Sequence, residues 1–227
     1  MGCIVGYGVA ACASDPATAV DGASDEQDAA EFVRDLEALG PTFVKLGQLL
    51  STRADLIPPA YAEALSRLQD NVEPFSYSQV EEIVVGELGV RISKAFASFE
   101  STPQAAASIG QVHRAVLRDG REVIVKVQRP GIREQIIEDL EALIEAAEFL
   151  DNHTEMGRRY GFQEVIEEFR KSLLRELDYR QEANNLITLN RNLKDFPTIV
   201  VPLPIEGYTT SRVLTMDYIS GKKITKL

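Results

Sequence analysis

The chain has 227 residues, with 44% apolar and 26% charged residues, 15 Gly and 10 Pro. That is a globular rather than a disordered composition, with enough mass for one large domain or two small ones. A formal charge of −11 argues against a general nucleic-acid binder, which needs a basic face for the phosphate backbone. The two cysteines, Cys3 and Cys12, sit near the start, and the two histidines, His113 and His153, are far apart. No disulfide framework or Cys-based zinc site can support the fold, no His-rich metal centre is expected, and no run reaches the roughly 18 apolar residues of a spanning helix.

Residues 4–13 form a short apolar run with no Lys or Arg ahead of it. Neither a signal peptide cleaved before Ser14 nor a lipobox at Cys12 fits that pattern. Met-Gly-Cys is similar to an acylation signal, yet Gly6 stands where Ser or Thr is expected. Asp15, Asp21, Asp25, Glu26 and Asp28, with no basic residue among them, are wrong for a transit peptide. Residues 1–30 are therefore expected to be a poorly ordered leader. From Glu31 the pattern turns helical: Phe32, Val33, Leu36 and Leu39, then Phe43, Leu46, Leu49 and Leu50. Gly40-Pro41 divides it, with Thr42 as the expected N-cap. Residues 60–69 predict a short helix, and Ser78 with Glu81 predicts a capping box for a helix that stops at Gly89.

Residues 108–128 alternate apolar and polar side chains, the period of a half-buried strand, and Asp119-Gly120 between the two runs is a strong hairpin signal. After Pro130-Gly131 a long helix carries Ile132, Ile136, Leu140, Leu143, Ala147 and Leu150 on a narrow stripe. A further helix is expected over about 162–193, with Phe162, Val165, Phe169, Leu173 and Leu177 at helical spacing. Pro197, Pro202 and Pro204 interrupt the pattern, and residues 198–201 and 211–218 predict short strands. The order is α+β.

Lys126 is the sharpest chemical position. Alternation puts Val123, Val125 and Val127 on one strand face and Ile124, Lys126 and Gln128 on the other. A lysine in an apolar strand needs an anion or carboxylate partner. The strand matches the V-A-I-K pattern of protein kinases, whose lysine pairs with nucleotide phosphates and a helix glutamate. By itself it fits a snorkelling edge-strand lysine equally well. Before the hairpin lies Pro103-Gln104-Ala105-Ala106-Ala107-Ser108-Ile109-Gly110, where small residues would let a backbone approach phosphates; the same run is also ordinary helix composition. Glu176, Asp178 and Glu182 are the carboxylates within reach in sequence, with Asp178 and Glu182 four apart, although an acidic chain has many solvated acidic faces. Lys45 and Gln48 lie on a helix face away from Leu46, Leu49 and Leu50, and the mid-helix Gly47 suggests a close approach.

Taken in order, Gly-Pro-Thr-Phe-Val-Lys-Leu-Gly-Gln, Ser-Thr-Arg-Ala-Asp-Leu-Ile-Pro, Ala-Ala-Ala-Ser-Ile-Gly-Gln-Val-His, Val-Lys-Val-Gln-Arg-Pro-Gly, Glu-Leu-Asp-Tyr-Arg-Gln-Glu-Ala-Asn and Val-Leu-Thr-Met-Asp-Tyr-Ile-Ser-Gly resemble the UbiB (AarF/ADCK, ABC-one) family of atypical kinase-like proteins from about Leu36 onward. The resemblance implies a protein-kinase-like N-lobe, a small antiparallel sheet with inserted helices over 101–227, preceded by a helical KxGQ extension over 31–100. It implies adenine nucleotide, ATP or ADP, as ligand. Ala105, Ala106, Ala107 and Ser108 would form the nucleotide loop, Lys126 the phosphate lysine, Glu182 its helix partner, and Met216, Asp217, Tyr218 and Ile219 the hinge against adenine. Lys45 and Gln48 would reach into the cleft as a lid, with Lys45 close to Glu176 and Asp178.

The resemblance further implies an ATPase or kinase-like activity supporting ubiquinone or another prenylquinone, at the cytoplasmic face of an inner membrane, with membrane lipid or quinone-biosynthesis proteins as partners. Two departures matter. Ile124 replaces the alanine of V-A-I-K, and nothing after Gly221 resembles a catalytic loop or a DFG-type aspartate. The expectation is a chain cut short of the C-lobe, with no catalytic residue and no metal site of its own, magnesium belonging to the missing lobe. The alternative is a non-catalytic, pseudokinase-like module that docks on a membrane or partner.

Overall fold

The computed structural model describes residues 16–53, 55–68 and 72–221, with side chains from residue 25 onward. Cys3, Cys12 and the apolar run 4–13 lie outside the described residues. Helix α1 (Pro16–Leu39) begins inside the segment expected to be a leader, and Ala29 within that segment is buried. Helix α2 (Pro41–Leu50) starts with Gly40 at the N-cap, φ +111°, and Pro41 in its first turn. Thr42 is therefore not the cap. It lies inside the helix, fully buried, and its hydroxyl donates to Asp139 Oδ2 at 2.5 Å. Pro41 explains the shift, since it suits the first helical position and moves the cap back by two residues.

Helix α3 (Pro59–Ser66) completes a small layer in which Leu36, Leu65 and Leu68 are buried together. Helix α4 (Tyr77–Leu88) carries a capping box, but on Ser76 and Gln79 rather than Ser78 and Glu81. Gln79 Oε1 accepts the N–H of Ser76 at 3.2 Å, and Ser76 Oγ accepts that of Gln79. Both pairs have the required spacing; Phe75, packed on the core just ahead of the helix, sets the earlier start. Gly89, φ +70°, ends α4 as expected.

Helix α5 (Ile92–Ala95) leads into β1 (Phe96–Phe99). Then follow β2 (Ala105–Ala106), β3 (Gly110–Leu117) and β4 (Glu122–Gln128). The Asp119-Gly120 hairpin forms where expected, with Gly120 at φ +89°. The antiparallel sheet runs β1-β3-β4-β5, with β2 on β3 and β5 spanning Val213–Asp217. Residues 198–201 are not a strand: Pro202 and Pro204 cannot donate to a ladder, leaving one bridge from Pro204 to Met216, and Val200 is 69% exposed.

The sheet has two faces. Val80, Val84 and Ile92 of α4 and α5 cover Ala115, Val123, Val125, Val127 and Val213. This joins α4, α5 and β1 to the sheet, although the sequence assigns residues 31–100 to a helical extension. Helix α6 (Ile132–His153) buries Ile132, Ile136, Leu140 and Ala147. After α7 (Glu155–Tyr160), α8 (Phe162–Glu176) packs Phe169 and Leu173 on α6, in a cluster that also takes Leu46 from α2. The helix expected over 162–193 is two helices, with α9 covering Tyr179–Asn192. The break falls where buried Leu177 gives its carbonyl to Gln128 Nε2 at 2.8 Å and Asp178 caps α9. The described residues thus form an α+β unit with a kinase-like N-lobe arrangement and a helical layer ahead of it.

Candidate nucleotide site on the open face of the sheet

Direct partners in an antiparallel sheet share a face. Ala105 is opposite Val112, Val112 opposite Lys126, and Lys126 opposite Leu214. One row across four strands thus joins the start of the alanine-rich loop to the lysine. The next row sets Arg114 against Ile124 and Ile124 against Met216, so Val112, Ile124 and Met216 give an apolar surface beside the cation. Alternation alone puts Val112 on this face, and no sequence motif marks it as a site residue.

Helix α9 lies on this side of the sheet, with Tyr179, Ala183 and Leu214 buried together and Met216 packed against them. Its first turn presents Glu182, whose Oε2 accepts a hydrogen bond from Lys126 Nζ at 2.7 Å. The side chains are 27% and 37% exposed, so solvent still reaches the pair. Lys126 Nζ also stands 4.6 Å from the centroid of the Tyr179 ring. Burial pushes the Tyr179 phenol well above its ordinary range, and the charges of Glu182 and Glu176 add to the effect. The phenol is neutral, and its hydroxyl is buried with no hydrogen-bond partner. In the sequence Tyr179 is one residue of a motif, and an aromatic at a helix start gives no hint that it floors a lysine.

Beside the pair lies a cleft of about 740 Å³ lined by Lys126, Arg175, Glu176, Gln181, Glu182 and Asn185. Lys45 of α2 reaches Glu176 Oε1 at 3.0 Å, which pairs a cation of the extension with one of the carboxylates lining this cleft. Gln48 takes a different direction from the expected one: its amide approaches the Leu68 carbonyl at 3.5 Å and joins α2 to the end of α3. Gly47 also answers to packing. A Cβ there would lie 2.5 Å from Leu68 and 3.0 Å from Leu36 and Leu65, so the close approach inferred from sequence is by three leucines. Asp178 serves α9, its Oδ1 accepting the N–H of Arg180 at 3.1 Å, while Glu176 lies at the end of α8.

Ala105 and Ala106 are paired strand residues, and the N–H of Ala107 donates to the Gly110 carbonyl at 2.8 Å. Gly110 must be glycine here, since a Cβ would meet the Val127 carbonyl oxygen at 2.4 Å and the Tyr179 hydroxyl at 2.6 Å. Ser108 is buried. At the expected hinge, the N–H of Asp217 donates to Leu203 O and that of Tyr218 to Glu122 O. Asp217 Oδ2 accepts from Leu203 N, Arg114 stacks 4.5 Å over the Tyr218 ring, and Ile219 is exposed. The two histidines serve the fold: His113 is buried in the core and His153 stacks on Phe149. Among the described residues no group of three or more His, Cys, Asp or Glu could hold a metal ion, and no helix is long and apolar enough to cross a membrane.

A small sheet with a lysine–glutamate pair between strand and helix, opposite an alanine-rich turn, is the arrangement of a kinase-like N-lobe. Residues 67–227 match the ABC1 atypical kinase-like domain, and the chain belongs to that family. It is 45% identical over 194 residues to a protein named "Probable protein kinase UbiB" from Cellvibrio japonicus, covering 86% of this chain and 35% of the relative. It is 41% identical over 205 residues to "Protein ACTIVITY OF BC1 COMPLEX KINASE 7, chloroplastic" from Arabidopsis thaliana, covering 90% of this chain and 29% of that protein. Among solved structures it is similar to Rv3197 of Mycobacterium tuberculosis in its complex with erythromycin, with a TM-score of 0.51 and 31% identity over 91% of this chain and 50% of that one. The chain spans about a third of the length of the curated relatives it matches.

Proposed function

We propose that this chain is the adenine-nucleotide-binding part of a UbiB-type atypical kinase or ATPase that supports ubiquinone or related prenylquinone biosynthesis. The observation that carries the reading is the Lys126–Glu182 pair at 2.7 Å, whose lysine shares a strand row with Ala105 at the start of the alanine-rich loop. Lys126 would donate to the phosphates, and Glu182 would hold its ammonium in place. Val112, Ile124 and Met216 would face the base, with Asp217, Tyr218 and Ile219 continuing the hinge and Ala105 to Ser108 forming the loop. Lys45, paired to Glu176, would partly close the cleft. Membership in the ABC1 family and similarity to proteins named UbiB support a kinase-like use of nucleotide. The quinone pathway and a peripheral membrane position rest on that likeness.

The test is ATP and ADP binding to the 227-residue chain by calorimetry. Lys126→Ala should raise the dissociation constant about tenfold or more, a loss of about 1.4 kcal/mol. Glu182→Gln should have a smaller effect in the same direction, because it loosens the lysine without removing it. A parent chain that binds neither nucleotide, or variants that bind as well as the parent, would refute the reading.

A further inference from the structure

The alanine-rich loop of this chain is not an open flap. Ala105 and Ala106 pair with Val112 and Gln111, and the bond from Ala107 N–H to Gly110 O closes a tight turn whose tip is Ser108-Ile109. That tip is buried, Ser108 being 1% and Ile109 5% exposed. The Ile109 side chain enters the apolar cluster built by Leu46 of α2, Ile132 and Ile136 of α6, and Phe169 and Leu173 of α8. Arg129, immediately after β4, grips the backbone of the same tip. Its N–H donates to Ile109 O at 2.8 Å, and its guanidinium donates to Ser108 O at 3.1 Å and Ala107 O at 3.4 Å. The guanidinium also donates to Glu73 O at 2.9 Å and lies 5.4 Å over the Phe75 ring, which fixes it from the opposite side.

A loop that closes over a ligand must be free to swing. Lifting this one would expose Ile109 and break the three hydrogen bonds from Arg129 at once, so the loop is held by Arg129 and by the helices that pack on Ile109. We propose that Ile109 and Arg129 are positioning residues that hold the alanine-rich loop in one preset shape, so that nucleotide meets a rigid cradle instead of closing a flap. The consequence for nucleotide choice rests on the function proposed above; the rigidity of the loop does not. A rigid loop discriminates between ADP and ATP by fit, and the helical layer that carries Lys45 is mechanically joined to it through Leu46.

Hydrogen–deuterium exchange on the full 227-residue chain tests this without any ligand. Residues 105–110 of the parent should be protected, and ADP or ATP should add little further protection. Ile109→Ala and Arg129→Gln should each speed exchange at 105–110 about tenfold or more, while residues 123–127 of β4 keep their protection. Both should also shift the ratio of ADP to ATP dissociation constants by about threefold or more, and Ile109→Val, which keeps most of the anchor, should restore both readouts. The proposal is overturned if the parent loop exchanges as fast as free peptide, or if neither variant speeds it. It is also overturned if β4 loses protection together with the loop in both variants, or if a freed loop leaves the ADP to ATP ratio unchanged. A parent that binds neither nucleotide removes the proposed function, while the exchange pattern still decides whether the loop is held.

Discussion

At the scale of single residues, two buried polar side chains behave in opposite ways. Tyr179 is fully buried and its hydroxyl has no partner, so its ring does the work and its oxygen costs stability. Tyr179→Phe keeps the face beneath Lys126 and should leave stability unchanged or raise it by about 1 kcal/mol; a loss of that size in urea unfolding would show that the hydroxyl is satisfied. His113 is equally buried but fully engaged. Its Nδ1–H donates to Glu100 O at 2.8 Å, and its Nε2 accepts from Gln111 Nε2 at 2.9 Å. The Gln111 amide is held in that orientation by its bonds to the N–H and carbonyl of Phe75. Burial lowers the His113 pKa from its ordinary value of 6.5, despite the opposing bond to Glu100. The folded chain therefore binds this proton less readily than the unfolded chain. Stability from this group is complete above about pH 6.5 and falls as pH drops below it, by up to about 1 kcal/mol over the next unit. Unfolding midpoints between pH 7.5 and 5.5 should show that slope, and His113→Gln, which cannot titrate, should lose that part of it.

At the scale of elements, two helical glycines separate packing from propensity. Gly47 in α2 faces three leucine methyl groups, while Gly86 in α4 has nothing within 4 Å of where a Cβ would stand. Alanine should gain up to about 1 kcal/mol of helix propensity at either position. At Gly86 that gain should appear nearly whole, as a stabilisation of about 0.5–1 kcal/mol. At Gly47 the crowding of Leu68, Leu36 and Leu65 should outweigh it and leave Gly47→Ala about 1 kcal/mol less stable than the parent. Equal melting temperatures for the two variants would mean that the leucines repack freely and that α1, α2 and α3 are loosely joined.

At the scale of the whole molecule, the helical layer is tied to the rest of the chain at separate places. Thr42 bonds Asp139 of α6, Lys45 pairs with Glu176 of α8, and Leu46 shares a cluster with Ile109. The Lys45 side chain is mostly buried and that of Glu176 about half exposed, so the pair should couple weakly. A double-mutant cycle with Lys45→Ala and Glu176→Ala should give about 0.5–1 kcal/mol. Under the lid reading Lys45→Ala should also change nucleotide affinity, because Glu176 in the cleft loses its cation; a coupling energy with unchanged affinity would leave Lys45 as a structural tie alone.

Much of this protein follows from local sequence. The alternation of Val123, Val125 and Val127 with Lys126, the Asp119-Gly120 turn, the stripe on α6 and the stop at Gly89 depend on neighbours a few residues apart, so periodicity and turn chemistry suffice to read them. The ordered motifs likewise point to Lys126 with Glu182 and to Lys45 with Glu176, although the spacing of these residues could not bring them together. Tertiary contacts decided the rest. Whether a helix runs on through 177–178 depends on Gln128 capturing the Leu177 carbonyl from 49 residues away. What fills the space beside Gly47 depends on α1 and on Leu65 and Leu68. That the alanine-rich turn is held from behind depends on Arg129 and on helices that come both before and after it in the chain. These outcomes are set by which surfaces meet, and the free energy of a contact between distant segments leaves no periodic mark on either of them.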